Sequence, residues 1–277
     1  MKEVAKQTIL ITGATDGIGE LTAKKLAGQG AHLLIHGRNS EKLDRVAKEI
    51  QEETGNLSIK KYLADFASLE NVRELAEKVL SDHPSLDVLI NNAGLGFEDE
   101  RQESEDGYEL RFAVNYLAPF LLTQLLLPAI KKGAPSRIVN VSSAGQQPID
   151  FDDVMLEHNY SATRAYRQSK LALIMFTIDL AEKLKDDNIT VNSLHPGTYL
   201  NTKMVREADI NPLGKAETGA DAELYLATAP ELENVTGKYF DRKKESRALD
   251  QAYDHEAREK LWKRGKEWTG LNEDHRF

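Results

Sequence analysis

Thr8-Ile9-Leu10-Ile11-Thr12-Gly13-Ala14-Thr15-Asp16-Gly17-Ile18-Gly19 is the stretch whose reading decides the fold. Thr8 to Thr12 form a short apolar, β-branched run, which reads as a buried strand. A glycine-rich turn follows, and a helix is expected from about Ile18 to Gln29. Small residues at such a junction let the backbone approach a pyrophosphate. The helix start then offers free N–H groups and the positive end of its dipole. The spacing is G-x-x-x-G-x-G, not G-x-G-x-x-G. A mere tight turn is the plainer alternative. Three glycines at this junction favour a phosphate cradle of Gly13, Thr15, Asp16, Gly17, Ile18 and Gly19.

The alternation continues outward. Residues 32–36 read as a second strand and 40–54 as a second helix. Leu69, Val72, Leu75, Ala76, Val79 and Leu80 mark the apolar stripe of a third helix. Further strands are expected at 86–90, 137–142, 189–194 and 238–241. A long helix is expected from about 106 to 131, kinked at Pro119. Another carries Tyr166 and Lys170 and runs through Leu184. Strands this continuously apolar, alternating with helices, imply a parallel sheet covered on both faces. The fold class expected is α/β, a single doubly wound, three-layer α/β/α domain with a Rossmann-type sheet over 1–241. Residues 242–277 form an extension rich in both charge signs. Leu249, Tyr253, Ala257, Leu261 and Trp262 are spaced to pack it on the same domain.

The bulk numbers exclude several classes. The 277 residues are 40% hydrophobic and 29% charged, with a net charge of −9. An acidic balance argues against nucleic acid as partner. No run reaches the 18 or more apolar residues of a membrane span. The N-terminal residues lack the apolar core of a secretory signal. With no cysteine there are no disulfides or thiolate sites, and the seven histidines show no ligand-like spacing. A cytoplasmic protein without a metal is expected.

The second strand ends in Gly37-Arg38-Asn39. A dinucleotide fold that grips the ribose 2′-OH usually places an Asp or Glu there. Here no carboxylate repels a 2′-phosphate, and Arg38 can pair with one. NADP(H) is therefore expected over NAD(H), with Arg38 and Asn39 at its adenosine end. The alternative is that Arg38 is only an exposed loop residue.

Tyr166 and Lys170 stand one helical turn apart on one face. A phenol has an ordinary pKa of about 10. A cation about 4 Å away is worth roughly 1 kcal/mol in water but about 4 kcal/mol at an effective dielectric near 20. The pair is thus useful for proton transfer only in a partly dry cleft. Outside one, it is a surface Tyr beside a solvated Lys.

Taken together, Thr12-Gly13-(x)3-Gly17-Ile18-Gly19, Asn91-Asn92-Ala93-Gly94, Asn115, Ser143, Tyr166-(x)3-Lys170 and His195-Pro196-Gly197 resemble the short-chain dehydrogenase/reductase family. Stretches such as Leu110-Arg111-Phe112-Ala113-Val114-Asn115 and Thr236-Gly237-Lys238-Tyr239-Phe240 are similar to its retinol-dehydrogenase-like branch. The resemblance implies that Tyr166 donates or accepts the proton, Lys170 lowers its pKa and bonds the nicotinamide ribose, and Ser143 holds the substrate oxygen. It implies that Asn115 anchors a proton-carrying water chain. It places Asn91, Asn92, Ala93 and Gly94 along the cofactor cleft, Asp65 and Phe66 at the adenine, Pro196 and Gly197 at the nicotinamide, and Thr202 at its carboxamide. Association through the long helices, as a homodimer or homotetramer, is implied too.

Rival readings stand beside these. Ser142 competes with Ser143, Tyr160 competes with Tyr166, Asn115 could simply bond backbone, Asp65 could cap a helix, and His195 could satisfy a buried hydrogen bond. The interval between Ser143 and Tyr166 is long, and its insertion, including residues 151–155, is expected to border the substrate entrance. Residues 198–216 are expected to form a lid with apolar Met204, Val205 and Ile210. The expected activity is hydride transfer between NADP(H) and a carbonyl or alcohol, the substrate being lipophilic or aromatic. A dinucleotide-binding sensor with incidental catalysis is the alternative from another class, and the intact Ser, Tyr, Lys and Asn set speaks against it. A nucleotide-dependent methyltransferase shares the sheet but not the Tyr–Lys pair.

Overall fold

The computed structural model describes residues 1–96 and 100–271. One eight-stranded sheet forms its centre, in the order β3-β2-β1-β4-β5-β6-β7-β8. The strands are β1 (Thr8–Ile11), β2 (His32–Gly37), β3 (Ile59–Leu63), β4 (Val88–Asn91), β5 (Ser136–Val141), β6 (Ile189–His195), β7 (Tyr239–Asp241) and β8 (Lys244–Ser246). All neighbours pair in parallel except β7 and β8. Successive strand residues point to opposite faces. Ile9 and Ile11 accordingly join the core on one side and Leu10 that on the other. Both faces are covered, which is why β1, β4, β5 and β6 carry almost no exposed residue. The edges are blunted by charge, with Lys60 and Lys61 on β3 and Lys244 and Glu245 on β8.

One face carries α1 (Gly17–Gly28), α2 (Ser40–Thr54) and α8 (Ala216–Thr228). The other carries α3 (Leu69–Asp82), α5 (Ala118–Gly133), α6 (Ala162–Lys183) and α9 (His255–Trp268). The short α7 (Lys203–Glu207) lies between β6 and α8. Strand order reverses between β1 and β4, so the crevice beyond their carboxyl ends is the expected ligand site. β3, β8 and α8 had no counterpart in the sequence reading.

The helix expected from about 106 to 131 differs in detail. It begins at Leu110 as one α-turn, α4 (Leu110–Phe112), widens to a π-turn over Ala113–Leu117, and continues as α5. Pro119 lies in the first turn of α5 and directly follows a π-turn, so its missing N–H falls where the regular bonding ladder is already interrupted. The irregularity is the π-turn, a feature common at functional sites, and it holds Asn115. The rod 110–133 is long and apolar enough to cross a membrane, but 89% of its apolar window is buried inside the protein.

Residues 242–271 pack back on the domain, and 272–277 lie outside the described residues. Trp262 meets Phe120 at 5.3 Å and Phe176 at 5.8 Å. Arg258 binds Asp179 at 2.7 Å in a buried pair. Ala257 and Leu261 are buried as the spacing requires, whereas Tyr253 is exposed with Arg247 stacked on its ring.

Candidate active site

The first turn forms as its residue types dictate. Gly13 has φ +66°, and a Cβ there would lie 2.7 Å from the Ala93 Cα. No side chain fits, and the turn is pressed against the loop after β4. Thr12 Oγ1 accepts the N–H groups of Asn92 and Ala93 at 3.0 Å, and Asn92 Nδ2 donates to the carbonyls of Thr12 and Gly13 at 2.8 and 3.0 Å. Asn92 thus ties two loops together. The Asp16 side chain does not cap α1, which leaves the helix N-terminus available to an anion. Thr202 closes this side, since a Cβ on Gly17 would lie 3.4 Å from its Cγ2. A cavity of about 490 Å³ lies between, lined by Asp16, Gly17, Thr202, Arg206 and Lys215 among others. A glycine cradle against an uncapped helix start fits a dinucleotide pyrophosphate.

His36 was missed by sequence reasoning, because nothing local marks it. It is buried, stacked on Phe66 at 4.3 Å, and bridges two loops. Nδ1 accepts the Gly13 N–H at 3.3 Å, and Nε2 reaches the Ala64 carbonyl at 3.1 Å. Burial lowers its pKa to about 4, so the ring is neutral, with the Nε2 proton facing Ala64. The Phe66 ring is therefore spent on the core. Asp65 Oδ1 accepts the Ala67 N–H at 3.0 Å, closing a turn and not a helix cap. Ser68 is the N-cap residue of α3.

At the end of β2, Asn39 caps α2 by accepting the Lys42 N–H at 2.9 Å. Arg45 is committed to Glu20, Glu49 and the Thr15 carbonyl. Arg38 is exposed and forms no hydrogen bond or ion pair with the described residues.

The proton-transfer group assembles where β4, β5, α6 and the π-turn meet. Lys170 is buried, its Nζ donates to the Val141 carbonyl at 2.9 Å, and burial lowers its pKa to about 8. A Cβ on Gly94 would lie 3.1 Å from Asn115 Oδ1 and 3.3 Å from Lys170 Nζ, so only glycine lets the loop lie this close to both groups. Asn115 is engaged with backbone, as its rival reading had it. It accepts the Leu95 N–H at 2.8 Å and donates to the Leu95 carbonyl at 3.1 Å and to Ser169 Oγ at 3.0 Å.

Ser143 hydrogen-bonds the Tyr166 phenol and pulls its pKa down, but burial outweighs it and the phenol stays above its ordinary value. The expectation that Lys170 makes Tyr166 acidic is not met in this arrangement. The ammonium lies 5.8 Å from the ring centroid and is held by Val141. The Tyr166 phenol therefore keeps its proton in this arrangement. Ser142 is excluded as its partner, because its Oγ donates to the Lys170 carbonyl at 2.7 Å. Tyr160 instead bonds the Glu100 carbonyl.

Pro196 and Gly197 follow β6 and turn the chain, Gly197 with φ +139°. His195 Nε2 pairs with Thr198 Oγ1 at 3.1 Å, while its buried Nδ1 has no partner among the described residues. Glu223 was also missed. It is fully buried, accepts from Thr22 at 2.7 Å, and burial raises its pKa to about 8.

The comparisons agree with this geometry. Residues 7–212 match the family model described as short chain dehydrogenase. Retinol dehydrogenase 13 of Homo sapiens is 39% identical over 283 residues, covering 96% of this chain and 85% of its own. A structure of an uncharacterized protein from Mycobacterium Paratuberculosis superposes with TM-score 0.80 at 28% identity, covering 98% of this chain and 96% of the other. A short chain dehydrogenase from Shigella flexneri 2a complexed with NADP gives TM-score 0.69 at 31% identity, covering 87% of this chain and 100% of the other. The chain belongs to the short-chain dehydrogenase/reductase family, in its retinol-dehydrogenase-like branch, and is an oxidoreductase acting on alcohol or carbonyl groups.

Proposed function

We propose that the protein reduces a lipophilic carbonyl compound, or oxidises the matching alcohol, with NADP(H). The observation that carries the reading is the contact of Tyr166 with Ser143 beside a buried Lys170. A bound nicotinamide would supply or accept the hydride. Tyr166, protonated, gives its proton to the carbonyl oxygen in reduction. The Ser143 hydroxyl holds that oxygen beside the phenol. The Lys170 charge, 5.8 Å from the phenol ring, would offset only part of the cost that burial places on the phenolate left behind. Asn115 keeps the 94–96 loop open next to that charge. Gly13 to Gly19, with Asn92 and Ala93 behind them, would hold the pyrophosphate, and the segment 198–216, with Thr202 beside Gly17, would act as a lid.

Two observations support the cofactor choice, the unengaged cation at Arg38 and the lack of a carboxylate at the end of β2. The lipophilic substrate class is supported by the relative named retinol dehydrogenase 13. The test is a panel of aldehydes, ketones and secondary alcohols of increasing chain length, followed by NADPH absorbance. Tyr166→Phe should abolish turnover, by roughly 10²-fold or more, with NADPH binding retained. Wild-type kcat in that variant would exclude the role of Tyr166.

A further inference from the structure

Residues 242–271 take no part in the chemistry above, yet their contacts converge on the segment that carries Ser143. Gln146 Nε2 donates to the Ser143 carbonyl at 3.0 Å, and its Oε1 accepts the Leu249 N–H at 2.7 Å. Gln251 binds Ile149 in both directions, Oε1 accepting its N–H at 2.6 Å and Nε2 donating to its carbonyl at 3.1 Å. Tyr239 donates to the same Ser143 carbonyl at 3.2 Å. Beyond them, Arg264 Nη1 bonds the Phe151 carbonyl at 2.5 Å, and Lys260 Nζ lies 4.8 Å from the Phe151 ring centroid. A carboxamide bonded both ways to one residue imitates a neighbouring strand, so it fixes orientation as well as distance. Gln146 and Gln251 are half-buried, so these bonds are partly shielded from competing water.

We infer that Gln146 and Gln251 are positioning residues, through which the C-terminal segment sets the Ser143 hydroxyl and the 146–155 wall and so selects which carbonyl substrates fit. The inference rests on reading Ser143 and Tyr166 as the reacting groups. A displaced Ser143 carbonyl moves its hydroxyl against Tyr166, and a relaxed Ile149 shifts the wall that a long substrate must pass. Both changes act on the substrate side. The dinucleotide contacts come from other loops, so cofactor affinity should be indifferent to them.

The test uses Gln251→Ala and Gln251→Glu in the full chain. Gln251→Ala removes both bonds to Ile149. Gln251→Glu keeps the acceptor and donates to the Ile149 carbonyl only when its carboxyl is protonated. Kinetics are measured on the shortest and the longest carbonyl compounds that the wild-type protein reduces, with NADPH affinity by fluorescence titration and Tm alongside. Gln251→Ala should lower kcat/KM about 10-fold or more, unequally for the two compounds, while NADPH Kd stays within about 2-fold. Measured against the wild-type protein at each pH, Gln251→Glu should recover toward it as pH falls toward the ordinary Glu value of about 4.3. Equal losses on both substrates that merely follow the folded fraction, or unchanged kinetics in both variants, would overturn the assignment. If Tyr166→Phe keeps wild-type kcat, the reading of the site fails by itself, whatever Gln251 does.

Discussion

Lys170 Nζ donates to the Val141 carbonyl at 2.9 Å, so helix α6 is pinned to the end of β5 by a buried ammonium. The bond places an ammonium in a dry cleft with one fixed acceptor. Burial pulls its pKa to about 8, close enough to neutrality for the charge to be lost in the working range.

Carbonyl reduction should therefore decline as pH rises through about 8, where Lys170 loses its proton. Lys170→Arg carries a charge that does not titrate there. It should be slower at pH 7, by roughly 10²-fold, because the longer fork does not reach Val141 in the same way, but its profile should be flat across pH 8. Measuring kcat from pH 6 to 10 for both proteins checks this.

Arg38→Asp should reverse the cofactor preference. Hydrogen bonds to a charged partner are worth about 1.5–3 kcal/mol, so the ratio of kcat/KM for NADPH over NADH should fall by roughly 10- to 100-fold or more. Arg38 is exposed and unengaged among the described residues, so Tm should hardly move. An unaltered ratio would refute the 2′-phosphate assignment.

His36→Leu removes the acceptor of the Gly13 N–H and the donor to Ala64 together. NADPH Kd should rise by about 10-fold or more, and stability should drop by roughly 1–3 kcal/mol for the unpaired backbone groups. In the unaltered protein the imidazole stays neutral down to about pH 4. Its depressed pKa means that its share of stability is present above pH 6.5 and fades as pH falls toward 4. Fluorescence titration of NADPH and urea unfolding at pH 5 and 7 read the two effects.

Glu223→Gln should stabilise the protein at neutral and alkaline pH. The carboxyl has a folded pKa near 8, above its ordinary 4.5. In the unfolded chain it ionises freely, so stability is fully present below pH 4.5 and is lost as pH rises to about 8. Glutamine keeps an acceptor for Thr22 and does not titrate. Its advantage should be near zero at pH 4.5 and grow by at most about 1.4 kcal/mol per pH unit. Urea unfolding at pH 5 and pH 8 distinguishes this from a pH-independent loss.

Features built from near neighbours in the chain were legible beforehand. The strand–turn–helix of residues 8–28 follows from an apolar run, three glycines and a change of period. The Tyr166–Lys170 spacing follows from one turn of helix. Contacts between residues far apart in the chain were not legible. The His36 bridge to Gly13 and Ala64, the Thr22–Glu223 bond across 201 residues, and the hold of Gln251 on Ile149 arise only when separate strands and helices pack. Pro119 marked an interruption of the long helix, but not that it takes the form of a π-turn holding Asn115.

Charge states divide the same way. Residue order alone puts a phenol and an ammonium on one face, together with the glycine cradle and Arg38. Folding then settles how each group holds its proton, because the cost of a buried charge depends on which elements shut out water around it. Periodicity and spacing act over a few bonds and are written in the chain, whereas solvation and long-range hydrogen bonds exist only once the layers have closed.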